Sequence, residues 1–396
     1  MDQALWRALK QWNFWDRKPP KSIPRQATQD ALKFIGRPEA HYLVGPRRAG
    51  KTYVCYQLID ALTKKHGSTS CLYVNFEEPA FSANLNTEFI TQTIQHFKNE
   101  HDQNPRFVFL DEVQHVPKWE RWVRSAVDRK EHKVVATGSS AQLLNSEFST
   151  ALGGRGISTL VLPFSFPEYE KARPHASLED YLQTGGYPAA VLEENAERRQ
   201  RVLEEYFETA IARDVIARHA LRDPATLRTL ATYALTNSGK PFSYNQLRAL
   251  TGLSFDAIKH YLACLQDAYV IFAVPAFSYS LKKAMQKPRK YYAYDTGLAS
   301  AVSKSFSPDF GRKAENAVAI ELLRRRKEPQ YGSEGKHEVD FIVKDGLHLS
   351  AINVCYDEKP PAREQAGLDA FTKTHKTRET LLLAGPKNIQ KWLSTT

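Results

Sequence analysis

Short apolar runs alternate with longer amphipathic stretches over the first 165 residues. The runs 42–44, 71–76, 107–110, 134–137 and 160–162 are β-branched or aromatic, as in strands buried on both faces of a parallel sheet. Between them, 53–62, 86–98 and 119–128 repeat apolar positions at helical spacing. The pattern predicts a doubly wound α/β domain. Ahead of it, Leu5, Trp6, Leu9, Trp12 and Phe14 form an aromatic stripe expected to pack on the protein itself, and a helix is expected over 29–35.

Beyond residue 165 the pattern turns helical. Segments 178–184 and 196–218 flank a break at Gly185-Gly186-Tyr187-Pro188. Residues 223–297 then read as three helices and two strands, a winged-helix order, with Ser243 to Gln246 as a capping box for the second helix. The third helix exposes Asp256, Lys259 and His260. The expected divisions are an N-terminal helical segment (1–30), an α/β core (31–165), a helical lid (166–222), a winged helix (223–300) and a final α/β domain (306–396).

Chemistry enters at Gly45-Pro46-Arg47-Arg48-Ala49-Gly50-Lys51-Thr52, between the first strand and a helix that begins near Tyr53. G-x-x-x-x-G-K-[ST] in a strand–loop–helix context is a phosphate-binding loop. Its glycines permit positive φ, and the helix N-terminus supplies positive potential. Lys51 would reach the β- and γ-phosphates of ATP, and Thr52 would ligate Mg²⁺. The third strand runs into Asp111-Glu112. Asp111 is placed to hold Mg²⁺ opposite Thr52, and Glu112 to deprotonate the attacking water. Thr137 and Ser139, at the tip of the fourth strand, are both candidates to sense the γ-phosphate. Arg155, in a glycine loop, is a candidate to stabilise phosphate charge in cis or from a second copy; Arg213 and Arg218 are weaker candidates, and Pro24-Arg25 lies where such chains cover the base.

The 396 residues carry a net charge of +11, which favours a polyanionic partner. Lys282, Lys283, Lys287, Arg289 and Lys290 form one basic cluster and residues 324–327 a second, both expected to grip DNA phosphates without reading sequence. Cys55, Cys71, Cys264 and Cys355 show no C-x-x-C spacing, so reduced thiols, no zinc and a cytoplasmic location are expected. No apolar run approaches the ~20 residues of a membrane span, so no membrane partner is expected.

In the last region a helix carries Glu315 and a strand carries Asp340, a pair suited to a second Mg²⁺. A nuclease centre of the PD-(D/E)XK type also needs [E/Q]-x-K on the next strand, where Asn353 and Cys355 stand. The centre is therefore expected to be inactive unless another lysine, such as Lys344 or Lys359, supplies the ammonium.

In series, the P-loop, Leu110-Asp111-Glu112-Val113-Gln114, Thr137-Gly138-Ser139-Ser140, Gly154-Arg155, Gly185-Gly186-Tyr187-Pro188 and Glu338-Val339-Asp340-Phe341 resemble bacterial and archaeal AAA+-type ATPases with a C-terminal domain of unknown function. The resemblance implies an AAA+-like core, a winged helix, a restriction-endonuclease-like domain, and ATP and Mg²⁺ as ligands. The expected activity is ATP hydrolysis coupled to binding or remodelling of DNA, branched DNA included, with homo-oligomers in prospect. The alternatives are an ATP-dependent switch that binds a protein partner, and an ATP-dependent metal nuclease.

Overall fold

The computed structural model describes residues 2–139, 154–221, 223–303, 309–334 and 337–395. Ser140 and the Leu152-Gly153 part of the glycine loop lie outside them. The chain divides into two compact units, Met1–Val161 and Leu162–Thr396.

In the first unit β1 (Ala40–Val44), β2 (Cys71–Asn75), β3 (Phe107–Asp111), β4 (Lys133–Gly138) and β5 (Gly156–Leu160) form one parallel sheet in the order β2-β3-β4-β1-β5. The fifth strand starts and ends earlier than the expected 160–162. Both faces are apolar, and successive residues serve opposite cores. Tyr42, Val44, Leu72, Val74, Val108, Leu110, Val134 and Ala136 join one cluster, while Leu43, Tyr73, Phe109 and Val135 join the other. Helices Thr87–His101 and Trp119–Arg129 supply the first cluster, and helix Lys51–His66 the second.

The N-terminal aromatic stripe packs on this same unit. Trp6, Leu9 and Trp15 are buried in the first cluster. Asn13 donates to the Tyr73 carbonyl at 2.9 Å and accepts from the Tyr73 amide at 2.8 Å, so the segment brackets the edge strand β2. The short helix after it spans Gln26–Leu32, three residues earlier at each end than the pattern suggested.

The second unit opens with helices Phe166–Ala172, Leu178–Thr184 and Pro188–Leu192. The first two carry capping boxes, Ser165 with Glu168 and Ser177 with Asp180; the expected box at Ser243 makes no side-chain cap. Helix Ala196–Thr209 continues into a π-helical stretch, Ala210–Ala217. Helices Pro224–Thr236, Tyr244–Thr251 and Phe255–Asp267 lead into the antiparallel pair β6 (Ile271–Val274) and β7 (Lys290–Ala293). One hydrophobic cluster runs from Tyr187 to Leu298, so the supposed lid and the three-helix segment share a core. A four-stranded sheet follows helix Phe310–Arg324: β8 (Gln330–Glu334), β9 (His337–Asp345), β10 (His348–Cys355) and β11 (Thr377–Ala384), ordered β11-β10-β9-β8. Among the described residues no helix is long and apolar enough to cross a membrane.

A close crossing of three glycines explains the Gly185-Gly186-Tyr187-Pro188 break. A Cβ on Gly185 would lie 2.1 Å from Asp295 Oδ1, and one on Gly186 would lie 2.3 Å from the Phe164 carbonyl. One on Gly297 would lie 1.9 Å from the Thr184 carbonyl. Asp295 holds the crossing by accepting from the Gly186 amide at 2.7 Å and the Leu298 amide at 2.8 Å. Burial pushes its carboxyl up to about 6, against those backbone donors.

Gly185→Ala meets both a side-chain clash and a φ of 72°, and is expected to destabilise this unit by about 3 kcal/mol, read as a lower urea midpoint. The Asp295 carboxyl titrates higher in the folded state than in the unfolded chain. Its contribution to stability is therefore complete below about pH 4 and declines as pH rises to about 6. Melting temperatures of the parent and Asp295→Asn should lie nearest at the acid end of that window and separate as pH rises, the parent falling relative to the variant; a constant difference would contradict the assignment.

Candidate functional site

The P-loop, Asp111, Thr137 and Ser139 meet where β1, β3 and β4 end. Register puts Val44 beside Gly138 and Leu110 beside Ala136. Gly45 must be glycine, because its φ is 151° and a Cβ would lie 2.1 Å from the Val161 carbonyl. Gly50, at φ 97°, starts the helix that carries Lys51 and Thr52. Arg47 pairs with Glu77 at 3.3 Å, Arg48 is left-handed at φ 63°, and Tyr53 is 47 % exposed.

Asp111 is the hub. Its Oδ2 accepts from the Thr52 hydroxyl at 2.8 Å and the Tyr73 hydroxyl at 2.5 Å, and its Oδ1 accepts from Thr137 at 2.5 Å. Burial and the neighbouring Glu112 charge raise its carboxyl above the ordinary range, while the three hydroxyls pull it back. Thr137 Oγ1 also accepts from the Glu112 amide at 2.8 Å, which holds Glu112 at a left-handed φ of 54°. Such a conformation costs a non-glycine residue ~1–3 kcal/mol and persists only where neighbours impose it. Burial alone would raise the Glu112 carboxyl; Lys51 at 3.6 Å, with a hydrogen bond from Gln114, holds it below the usual range. Lys51 Nζ also donates to the Gly45 and Pro46 carbonyls at 3.1 and 3.0 Å.

Geometry separates the two sensor candidates. Thr137 is engaged with Asp111 and Glu112, whereas the Ser139 hydroxyl is buried with no hydrogen-bond partner among the described residues. A buried hydroxyl without a partner is costly, and at the end of β4 a water or a ligand oxygen would satisfy it. The donor set fits ATP and Mg²⁺: hard oxygens on Thr52 and Asp111, an ammonium on the loop, and the Ser139 hydroxyl.

Arg155 is not brought to this site. It precedes β5 beside Ala40, at the opposite end of the strands and ~13 Å of strand from the loop, and it pairs with Asp128. Arg25 was under-read. It is buried and donates to the Ala49 carbonyl of the loop at 2.8 Å. Tyr73 was missed altogether, because a buried strand tyrosine carries no motif. In the second unit Arg218 pairs with Asp214 at 3.2 Å.

The basic clusters divide. Lys282, Lys283, Lys287 and Arg289 are exposed, but Lys290 is 2 % exposed and turned inward. Its Nζ lies 2.5 Å from Glu338, 3.3 Å from Glu315 and 3.9 Å from Asp340. Lys290 is therefore no phosphate contact for the hairpin. In the 324–327 cluster Arg326 is exposed and the other three are half-buried and paired. Arg324 and Arg325 bind Glu321 at 3.1 and 3.0 Å, Arg325 stacks on Trp392, and Lys327 pairs with Asp345 at 3.4 Å. In the three-helix segment, Lys259 faces Asp256 at 4.0 Å and His260 lies by Cys264.

Glu315 and Asp340 do come together, on a cavity of about 900 Å³. Tyr292 donates to Glu315 at 2.6 Å, and the Val354 amide donates to Asp340 at 2.8 Å. Asn353, at the expected E/Q position, bonds the Asp340 amide at 3.0 Å and the Glu364 carbonyl at 2.9 Å. Lys344 and Lys359 are exposed, and the ammonium at the carboxylates is that of Lys290.

Residues 37–170 match the family model of an AAA domain, and 175–309 match that of a domain of unknown function. An uncharacterised protein of Methanocaldococcus jannaschii is 30% identical over 84% of this chain and 78% of its own length. A protein of Haemophilus influenzae is 25% identical over 83% of this chain and 85% of its own length. Among solved structures, the Orc1 protein of Aeropyrum pernix in complex with DNA is similar at 15% identity, covering 72% of this chain and 94% of that one. Its TM-score of 0.31 is too slight to carry an argument.

Removing each hydroxyl should have a different effect. Thr137→Val unties Asp111 and Glu112 and is expected to weaken binding of a fluorescent ATP analogue. Ser139→Ala should leave that binding within about twofold and slow hydrolysis by about a hundredfold, the usual effect of losing one charge-stabilising donor. Equal losses of binding in both variants would place Ser139 outside the reacting centre.

Proposed function

This chain is an AAA-domain protein of one family with the Methanocaldococcus jannaschii protein, and from that premise we propose that it hydrolyses ATP and couples the cycle to binding or remodelling of DNA. The observation that supports the ATPase reading is the buried Thr52–Asp111–Thr137 network, with Glu112 and the unpartnered Ser139 beside it. Mg²⁺ bound by Thr52 and Asp111 would supply positive charge against the β- and γ-phosphates. Lys51 would exchange its loop carbonyls for phosphate oxygens. That exchange takes the ammonium from Glu112 and leaves the carboxylate able to accept a proton from the attacking water. Ser139 would donate to the γ-phosphate or to that water.

The DNA reading is supported by the second unit. Three helices followed by an antiparallel hairpin suit a winged helix. Its connecting segment exposes Lys282, Lys283, Lys287 and Arg289, and no acidic residue occurs from Ala268 to Tyr294. Contacts of this kind position a duplex without reading it. Arg155 has no part in the scheme within one chain.

Steady-state ATP hydrolysis is to be measured with duplex, single-stranded and four-way-junction DNA, with Lys51→Ala as the blank. Stimulation by DNA is expected. Replacing the four exposed cations by alanine should lower affinity at least tenfold and flatten the salt dependence by roughly 0.9 log unit per lost contact. Hydrolysis indifferent to every DNA form would instead favour a switch that binds a protein partner.

A further inference from the structure

The cavity over Lys290, Glu315, Glu338 and Asp340 has no part in the ATP chemistry. We propose that it is a divalent-cation-dependent phosphodiester-hydrolysing centre in which Lys290, carried by the β7 hairpin rather than by the nuclease-like sheet, is the catalytic ammonium. The choice of DNA as the phosphodiester rests on the DNA reading above; the centre itself does not.

Three observations carry the assignment. The first is the ammonium. Lys290 is almost fully buried and lies within 3.9 Å of three carboxylates contributed by a helix and a strand. Its shortest contact, 2.5 Å, is to Glu338, so Glu338 anchors it. Glu315 at 3.3 Å and Asp340 at 3.9 Å are held less closely, and they are the pair that could turn to a cation.

The second is rigidity. Tyr292 fixes Glu315, the Val354 amide fixes one Asp340 oxygen, and Asn353 fixes the Asp340 backbone. The Asn353 side chain that displaced the usual E/Q residue thus supports the aspartate.

The third is the cavity itself. At about 900 Å³ it admits a nucleotide-sized fragment, and Lys240, Arg312 and Arg363 line it together with the carboxylates. Arg312 and Arg363 pair with Asp309 and Glu364 at 3.1 and 3.2 Å, so a phosphate would compete with those acids for them. The exposed Lys287 and Arg289 lie on the same stretch of chain just before Lys290.

The reaction balances with water alone. Water oxygen bonds to phosphorus, and the bond from phosphorus to one ester oxygen breaks. The water proton leaves through a carboxylate to solvent, and the departing alkoxide takes a proton from solvent. Lys290 would stabilise the negative charge of the attacking oxygen and of the crowded phosphate. The cation would add Lewis acidity.

The test uses the full chain with Asp111→Asn, so that the nucleotide site does not compete for metal. Mn²⁺ binding is followed by electron paramagnetic resonance. Hydrolysis is followed on bis(p-nitrophenyl) phosphate, which needs no DNA-binding surface, and on plasmid DNA. Mn²⁺ binding is expected in this protein, retained in Lys290→Met and lost in Asp340→Asn, with hydrolysis down at least a hundredfold in both. Lys290→Arg keeps the charge and the ion pairs; it should restore the melting temperature without restoring hydrolysis, which separates chemistry from folding. Cleavage of the small diester but not of DNA supports the centre and overturns the DNA reading. The proposal is overturned if neither substrate is cleaved, if Lys290→Met cleaves at the parent rate, or if Mn²⁺ binds only once Lys290 is removed.

Discussion

One buried carboxylate organises the first unit. Asp111 accepts hydroxyl hydrogen bonds from the helix after the P-loop, from β2 and from β4. Three elements are thereby drawn to the end of β3, and each hydroxyl also faces an apolar cost if it is released. The same network orients Glu112 through Thr137 and leaves Ser139 as the hydroxyl not consumed. Structure and candidate chemistry are therefore inseparable here. A metal bound at Thr52 and Asp111 would enter a set of contacts that already hold the sheet ends together.

The sheet and the nucleotide motifs were legible in the sequence because both are local. Alternate residues of β1 to β4 feed opposite cores, and a strand buried on both faces announces itself as an unbroken apolar run. The P-loop and Asp111-Glu112 carry their meaning in a few adjacent positions. Tyr73 and Arg25 were hard to see because each acts through a contact dozens of residues away. The choice between Thr137 and Ser139 likewise needed side-chain partners. The glycine crossing is the same kind of case. Gly185-Gly186 reads as a helix break, but its cause is Asp295 and Gly297, over a hundred residues later.

Charge was the least legible property. A run of basic residues has one composition and two fates. Lys282, Lys283, Lys287 and Arg289 remain in solvent, while Lys290, the next in line, enters β7 and points to the carboxylates of the last domain. Strand alternation alone puts neighbours on opposite sides, so a cluster that crosses into a strand cannot stay one surface. Arg324 and Arg325 show the same conversion at a helix end, where Glu321 and the C-terminal carbonyls take up their charge. The count of 55 basic residues therefore overstates the exposed cations, since several of them are taken up by internal carboxylates.

Lys290 also shows how a residue type absent from a motif in sequence can be supplied in space by a distant strand. The ammonium of a nuclease centre must reach the carboxylates, and nothing requires it to come from the same sheet. β10 carries Asn353 and Cys355 where the lysine would stand, and β7 brings Lys290 to the carboxylates. A lysine placed so is costly to bury unless its partners are equally fixed. Tyr292, two residues on in the same strand, bonds the same Glu315 that Lys290 faces. β7 thus contributes a cation and a hydroxyl to one carboxylate, and helix Phe310–Arg324 answers through Asn316, which bonds both the amide and the carbonyl of Ala293. The hairpin that presents cations to solvent is by this route clamped to the carboxylates beneath it, so that whatever pulls on the exposed segment pulls on the residues of the cavity.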